Sequence, residues 1–202
     1  MAETEPRVGE QRPGGRATRV RTSVLEATSE LLMEMGYDQF SVDDVASRAG
    51  VHKTTVYRRW PSKAELIADA VRVHSAEHVP IPDTGSLLGD LQALAGSVIA
   101  NICSDDGSRR SRAIIAAAAH SPDLTASMNS FWAERFAMSV PIIERAVQRG
   151  ELPPDSDADL IIAALIGPIW VRFLLTGEPI DDDLAHRVAQ LVAAGATATT
   201  ER

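Results

Sequence analysis

The sequence SVDDVASRAGVHKTTVYRRW, residues 41–60, decides the fold of the N-terminal part of the chain. Ser41 is a good N-cap for a short helix, and Gly50 ends that helix after about two turns. A second short helix follows from about Lys53 to Trp60, because the next residue is a proline that blocks its continuation. Two short helices joined by a tight turn with a glycine predict a helix-turn-helix unit.

The flanking sequence extends this unit in both directions. Apolar residues at spacings of three and four predict an amphipathic helix from about Thr18, which Gly36 ends. Ser62 and Glu65 form a capping box for a longer fourth helix. The remaining helical patterns, separated by glycines, prolines and the break Asp105-Asp106-Gly107, lie at about 85–103, 109–120, 122–149, 157–176 and 181–194. The sequence therefore predicts an all-α protein of about nine helices.

We divide the chain into three parts on this basis. Residues 1–16 are polar and rich in Glu, Gly and Pro, which predicts a disordered N-terminal arm without the apolar stretch of a signal peptide. Residues 17–63 form the predicted helix-turn-helix domain of three helices. Residues 64–202 form a second predicted helical domain.

The charge of the chain is unevenly distributed. The net charge is −8, but residues 1–63 carry ten Lys/Arg against nine Asp/Glu, so the excess of acid lies in residues 64–202. The segment from Arg48 to Lys63 holds five cationic residues and no acidic one. A concentrated basic segment on an acidic body predicts that this segment meets a polyanion.

Composition also limits the location of the protein. The single cysteine, Cys103, cannot form an intrachain disulfide, which fits a reducing cytoplasm. No apolar run reaches the roughly 18 residues that span a bilayer, so we expect no membrane partner. Hydrophobic residues make up 45% of the chain, which is too many for a disordered protein.

The second short helix has the chemistry of a DNA-reading helix. Val56 is its apolar anchor, while Arg and Lys can bond guanine edges, Thr offers a hydroxyl and a methyl, and Tyr can reach a phosphate. Lys63 stands at the start of the next helix, where it can bond a phosphate. The alternative is an ordinary solvated helical face. The candidate DNA-binding residues are Arg21, Ser41, Val42, Lys53, Thr54, Thr55, Tyr57, Arg58 and Lys63.

The same region resembles a known family. The pattern Gly36-Tyr37, Phe40-Ser41-Val42, Val45-Ala46-x-x-Ala49-Gly50-Val51 and Thr55-Val56-Tyr57-x-x-Trp60-x-Ser62-Lys63-x-x-Leu66 is similar to the TetR family of bacterial transcriptional repressors. Trp60 stands where the family commonly has Phe. The resemblance implies an all-helical homodimer that usually represses transcription and releases DNA when a small molecule binds the C-terminal domain. It therefore implies that residues 64–202 serve ligand binding and dimerisation.

A dimer would place two reading helices on half-sites about 34–36 Å apart, which predicts a near-palindromic operator. The helix from Leu160 to Leu175 is apolar almost all round, so it must be buried on every side, by a partner subunit or within one chain. We favour burial of this helix by a partner subunit. The predicted seam consists of Ile162, Leu165, Ile166, Ile169, Phe173, Leu184, Val188 and Leu191.

Aromatic and Met residues in the C-terminal part suit a pocket for an apolar or amphipathic effector, although at helical spacing such residues also form ordinary core. The candidate pocket residues are Ile99, Cys103, Ile115, Met128, Phe131, Trp132, Phe136 and Trp170.

One enzyme hypothesis competes with this interpretation. His74, Glu77 and His78 match the H-x-x-E-H motif of zinc peptidases, and the two imidazoles share a helix face. The motif has three fixed residues, lies at a helix end and has no evident third ligand. We therefore expect no enzymatic activity, no metal and no cofactor, and keep a zinc-dependent helical hydrolase as the alternative.

Overall fold

The computed structural model describes residues 14–181 and 183–198, and within these ranges it contains nine α-helices and no β-strand. The prediction of an all-α protein is therefore confirmed. The helices are α1 Gly14–Met35, α2 Val42–Arg48, α3 Lys53–Arg59, α4 Lys63–His78, α5 Leu87–Cys103, α6 Asp105–Ala118, α7 Pro122–Gln148, α8 Ala158–Val171 and α9 Leu184–Ala198. A 3-10 turn, Tyr37–Gln39, follows α1, and a π turn, Arg172–Thr176, continues α8.

The first helix begins earlier than the sequence predicts. Residues 14–16, expected to belong to a disordered arm, form the first turn of α1, while residues 1–13 of that arm lie outside the described part of the chain. Gly36 follows the last turn of α1 with φ 78°, a left-handed conformation that glycine adopts without steric cost. The predicted end of the helix is confirmed.

The helix-turn-helix has the capping chemistry that its sequence indicates. The Ser41 side chain accepts from Asp44 N–H at 3.2 Å, and the Asp44 carboxylate accepts from Ser41 N–H at 2.7 Å. The turn before α3 passes through Gly50 at φ 65°. Ser62 accepts from Glu65 N–H at 3.1 Å and so caps α4. These contacts satisfy helix-end groups that would otherwise have no partner.

The start of α6 corrects the predicted break at residues 105–107. Ser104 caps the helix by accepting from Gly107 N–H at 3.1 Å, so α6 begins at Asp105 and includes the glycine. No larger residue fits at position 107, because a Cβ there would lie 1.8 Å from the Asn101 carbonyl oxygen. The glycine therefore marks a close approach of α6 to α5 and not a helix end.

Two hydrophobic cores organise the described chain. The first core is formed by α1, α2, α3 and α4. One face each of α6 and α7 packs against them through residues such as Ile114, Leu124 and Phe131. The second contains α5, α8, α9 and the C-terminal half of α7. Because α6 and α7 reach into the first core, the helix-turn-helix packs directly on the rest of the protein.

The eight residues predicted for the dimer seam lie mostly inside one chain. Leu191 is exposed, at 71% of its surface, and Ile166 is partly buried against the second core. The other six are buried in that core: Ile162, Leu165, Ile169, Phe173, Leu184 and Val188. The buried face of α8 is thus covered within the chain, as the alternative interpretation of this helix required.

The opposite face of α8 is apolar and exposed. Leu160 is 65% exposed and Leu175 is 79% exposed, and they lie on one helical stripe with Ala164, Pro168 and Val171. By length and composition, the stretch Ala158–Thr176 could span a membrane, contrary to the expectation from the sequence. Core helices of soluble proteins pass the same test, and the inner face of α8 packs in the second core.

Candidate nucleic-acid interface and internal cavity

The orientation of α3 separates an anchoring side from an exposed side. Val56 is fully buried and holds the helix on the first core. Thr54, Tyr57 and Arg58 are exposed, and Tyr57 shows 46% of its surface. The His52 side chain caps the helix and contacts the Thr54 hydroxyl at 2.9 Å. An exposed helix with this set of side chains has the geometry to enter a major groove.

Internal carboxylates neutralise part of the basic segment. Arg48 bonds Glu34 at 2.9 Å and lies 3.3 Å from Glu30, while Lys53 lies 3.1 Å from Asp43. These pairs are exposed, so their contribution to stability is small and DNA phosphates can compete for the cations. The acidic partners come from outside the segment of five cations, which itself holds no acidic residue.

Arg58 and Arg59 differ from these cations because neither makes an ion pair within the described residues. Arg59 lies over the Trp60 ring, 5.4 Å from its centroid. Arg58 is therefore the cation on the exposed side of α3 that is most available to DNA.

Lys63 is held more firmly than its predicted role at a phosphate suggests. Its Nζ donates to the carbonyl oxygens of Tyr37 and Phe40 and lies 4.4 Å and 4.0 Å from the centroids of their rings. Burial lowers the pKa of Lys63, while Asp38 and Asp44 oppose that shift. Lys63 therefore joins α4 to the 3-10 turn, and two of its three N–H groups are used in internal hydrogen bonds.

Asp69, on α4, is bonded to α1 and to the residue that follows α3. Its carboxylate accepts from the Arg21 guanidinium at 2.7 Å and from Trp60 Nε1–H at 2.9 Å. Arg21, a predicted DNA contact, is therefore committed to an internal ion pair between α1 and α4. The indole of Trp60 is positioned by a hydrogen bond that a phenylalanine could not make.

At the start of α2, the exposed side chains are those of Ser41, Asp43 and Asp44. Val42, a predicted DNA contact, is buried in the first core, so only its backbone could reach DNA. The Ser41 hydroxyl and N–H hold the pKa of Asp44 below its ordinary value, which keeps the cap ionised. Thr55, the remaining candidate, is partly exposed on α3.

A cavity of about 280 Å³ lies between α4, α5, α6, α7 and α8. Its walls are mainly apolar and aromatic, and Trp132 contacts Trp170 edge to face at 5.7 Å between ring centroids. Six of the predicted pocket residues line this cavity: Ile115, Met128, Phe131, Trp132, Phe136 and Trp170. Ile99 and Cys103 do not line it, and Cys103 is exposed. Two residues predicted for the dimer seam, Ile162 and Ile166, line it instead.

Polar groups are placed at separate points of this cavity wall. His74 Nε2–H donates to Asn101 Oδ1 at 2.7 Å, and burial, with the nearby charge of Arg110, lowers the pKa of His74. Arg135 donates to the Val79 carbonyl at 2.8 Å. Arg110 is 8% exposed and reaches the Met33 sulfur at 3.9 Å.

Sequence reasoning missed Asp69, Arg110 and Arg135. Helical spacing could have indicated that Arg110 is buried, because Gly107, Arg110 and Ile114 lie on one buried face of α6. The run Arg109-Arg110-Ser111-Arg112 suggests a solvated surface instead, so the buried arginine is hidden among exposed ones.

Two short helices joined by a tight turn, the first packed on the core by its inner side and the second exposed, define the helix-turn-helix class of DNA-binding proteins. Residues 24–70 match the family described as "Bacterial regulatory proteins, tetR family", and residues 81–192 match "Tetracyclin repressor-like, C-terminal domain". The chain therefore belongs to the TetR family of transcriptional regulators.

Individual relatives agree with this assignment. The HTH-type transcriptional regulator AqdR of Rhodococcus erythropolis is 33% identical over 95% of this chain and 92% of its own. The DNA-binding transcriptional repressor TetR of Mycobacteroides abscessus is 33% identical over 82% of this chain and 87% of its own. Among solved structures, the TetR family transcription regulator SCO0332 is 31% identical, with a TM-score of 0.75, over 88% of this chain and 98% of its own.

The zinc-hydrolase alternative is not supported, because the family consists of regulators and not of enzymes. The structure also gives the two histidines other roles. The His74 and His78 rings stack at 3.9 Å between centroids, and His78 Nδ1–H donates to the His74 carbonyl. Within the described residues, no group of three potential ligands could hold a metal ion.

Proposed function

We propose that the protein is a homodimeric repressor that binds a near-palindromic operator and is released by a small apolar or amphipathic molecule. The observation that carries this proposal is the exposed side of α3, where Tyr57 and Arg58 project from a helix anchored by Val56. Family membership makes DNA its target. The protein would then act in the bacterial cytoplasm, where the chromosome lies.

Repression is supported by one relative in particular. The Mycobacteroides abscessus protein, aligned over most of both chains, is a repressor. The activator FasR of Mycolicibacterium smegmatis is 37% identical but aligns over 37% of this chain. Because the same helix-turn-helix serves both outcomes, the longer alignment favours repression.

The dimer is supported by the exposed stripe on α8, formed by Leu160, Ala164, Pro168, Val171 and Leu175. Leu191 on α9 extends the exposed apolar surface of the C-terminal helices. An apolar surface of this kind in a protein that dissolves in water is typical of a subunit interface. We therefore propose this outer face as the seam, in place of the buried residues of α8.

Release by an effector is supported by the position of the cavity. Its walls include α4 residues such as Val71 and His74, and α4 also carries Lys63 and Asp69, which hold the helix-turn-helix. A ligand that prefers one position of α4 would shift the population of conformations that fit both half-sites.

A gel-shift assay tests the proposed function. The purified protein is mixed with the DNA that flanks its own gene at two salt concentrations, with unrelated DNA as competitor. We expect a specific and salt-sensitive shift, and Tyr57→Ala should weaken it. Lys53→Ala should weaken the shift less than Tyr57→Ala does, because phosphates must compete with Asp43 for that lysine. An unchanged shift with Tyr57→Ala would contradict the placement of α3 on DNA.

A further inference from the structure

The cavity wall carries positive charge and, among the described residues, no acidic side chain. Arg110 and Arg135 both line the cavity, together with the polar side chains of His74 and Asn101. Among the described residues that line it, none is Asp or Glu. The rest of the wall is dominated by apolar and aromatic side chains. An apolar chamber with two guanidinium groups and no carboxylate is suited to an anion.

Arg110 is the more buried of the two arginines. Within the part of the chain that the structure describes, its buried Nε makes no hydrogen bond, and its Nη2 contacts the Met33 sulfur, a weak acceptor. Burial lowers the pKa of Arg110. The one carboxylate that opposes this shift, Asp106, lies 2.7 Å from Arg109 and serves that exposed arginine. A cation removed from water without an anion is costly, so this arrangement favours a negatively charged partner.

Other partly buried arginines of the chain are paired with carboxylates, which is the usual arrangement for a cation removed from water. Arg21 is paired with Asp69, Arg72 with Glu134, and Arg145 with Asp83 and the fully buried Asp90. Arg135, in contrast, donates to the neutral carbonyl of Val79 and makes no ion pair with any residue between 14 and 181 or 183 and 198; burial lowers its pKa.

We propose that the cavity binds a small organic acid, a carboxylate carried on an apolar body, and that Arg110 is the group that holds the carboxylate. Arg135 adds a second positive charge to the same chamber, and the aromatic wall around Trp132 and Trp170 receives the apolar body. This inference rests on the proposed function in taking the cavity as the effector site.

Arg110 also offers a route from the acid to the DNA-binding helices. It lines the cavity and, on its other side, the cleft between α1 and α4, where Arg21 lies with Glu26, Glu30 and Glu77. None of these carboxylates is within ion-pair distance of Arg110. Its contact with Met33 is a contact with α1, the helix on which α2 packs. A carboxylate that draws the guanidinium into the cavity therefore changes the packing of α6 on α1.

The experiment compares acids with alcohols of the same shape, using the full chain without DNA. The probes are decanoate against 1-decanol, and 2-naphthoate against 2-naphthalenemethanol, titrated by isothermal calorimetry near neutral pH. We expect at least one acid to bind at least about tenfold more tightly than its alcohol, which is about 1.4 kcal/mol. This comparison needs no variant and so does not depend on the folding of one.

Arg110→Met then tests the assigned residue, with Arg109→Met as the matched control on the exposed side of α6. Circular dichroism confirms that both are folded. We expect Arg110→Met to lose the preference for the acid and Arg109→Met to keep it. The ratio of operator affinities with and without the acid should also fall toward one in Arg110→Met.

Three results would overturn the assignment: alcohols that bind as tightly as their acids, no saturable binding of either acid up to about 1 mM, or a full preference for the acid in Arg110→Met. The proposed function fails separately, if the ligand-free protein binds no specific DNA. Acid binding measured without DNA is unaffected by that outcome.

Discussion

Replacement of Lys63 by methionine should destabilise the protein as well as weaken its binding to DNA. The lysine donates two of its N–H groups to the carbonyl oxygens of Tyr37 and Phe40 and thereby fixes the 3-10 turn that precedes α2. Methionine fills a similar volume and keeps contact with both rings, but it donates no hydrogen bond. Lys63→Met therefore leaves two carbonyl groups without their charged partner.

The expected cost follows from these two bonds. A hydrogen bond from a charged group contributes about 1.5–3 kcal/mol, and we take the lower value for each because the side chain is only half-buried. The free energy of unfolding should then fall by about 3 kcal/mol. For a chain of this length each kcal/mol lowers Tm by about 2–4 °C, so we expect a decrease of roughly 6–12 °C.

The assay combines thermal unfolding at fixed protein concentration with the salt dependence of operator binding. Arg58→Met is the matched control, because Arg58 is exposed on α3 and makes no ion pair within the described chain. We expect Arg58→Met to reduce the slope of log K against log salt by about 0.9 without changing Tm. A Tm of Lys63→Met equal to that of the wild type would refute the structural role assigned to this lysine.

Three further predictions concern other parts of the molecule. Asp69→Asn should lower the free energy of unfolding by about 1–3 kcal/mol, because Arg21 loses its charged partner; an unchanged denaturation midpoint would contradict this. Burial lowers the pKa of His74, so the unfolded chain binds more protons near pH 6.5 and below, and stability should fall as the pH falls; an NMR titration midpoint at or above 6.5 for His74 would exclude the effect. Leu175→Glu should convert the proposed dimer to a folded monomer in light scattering, whereas Met138→Glu, at an exposed position of α7, should not; a dimeric Leu175→Glu protein would exclude the outer face of α8 as the seam.

The sequence predicted the helix-turn-helix well because local chemistry determines it. Gly36 and Gly50 adopt positive φ values, and Ser41 and Ser62 cap the helices that follow them, as expected. Each of these signals acts within a few residues, so it can be recognised without knowledge of the tertiary structure. The direction of Val56 into the core follows from the same helical periodicity.

Features that depend on distant partners could not be predicted. Gly107 resembles a helix break until the nearby Asn101 carbonyl is seen. α8 is apolar on both faces, so its sequence does not indicate which face a partner subunit would cover. Most of the residues predicted for the seam lie on the face that the chain itself buries. The ion pair of Arg21 with Asp69 joins residues 48 positions apart, and no local sequence pattern predicts it.

The most direct test of the central proposal is a hydroxyl-radical footprint of the protein on an operator selected from random DNA. A dimeric regulator that reads DNA with α3 should protect two symmetric half-sites whose centres lie about 34–36 Å apart, on one face of the duplex. Tyr57→Ala should lose both protected regions together. A single protected half-site, or protection without sequence preference, would contradict the proposed dimeric repressor.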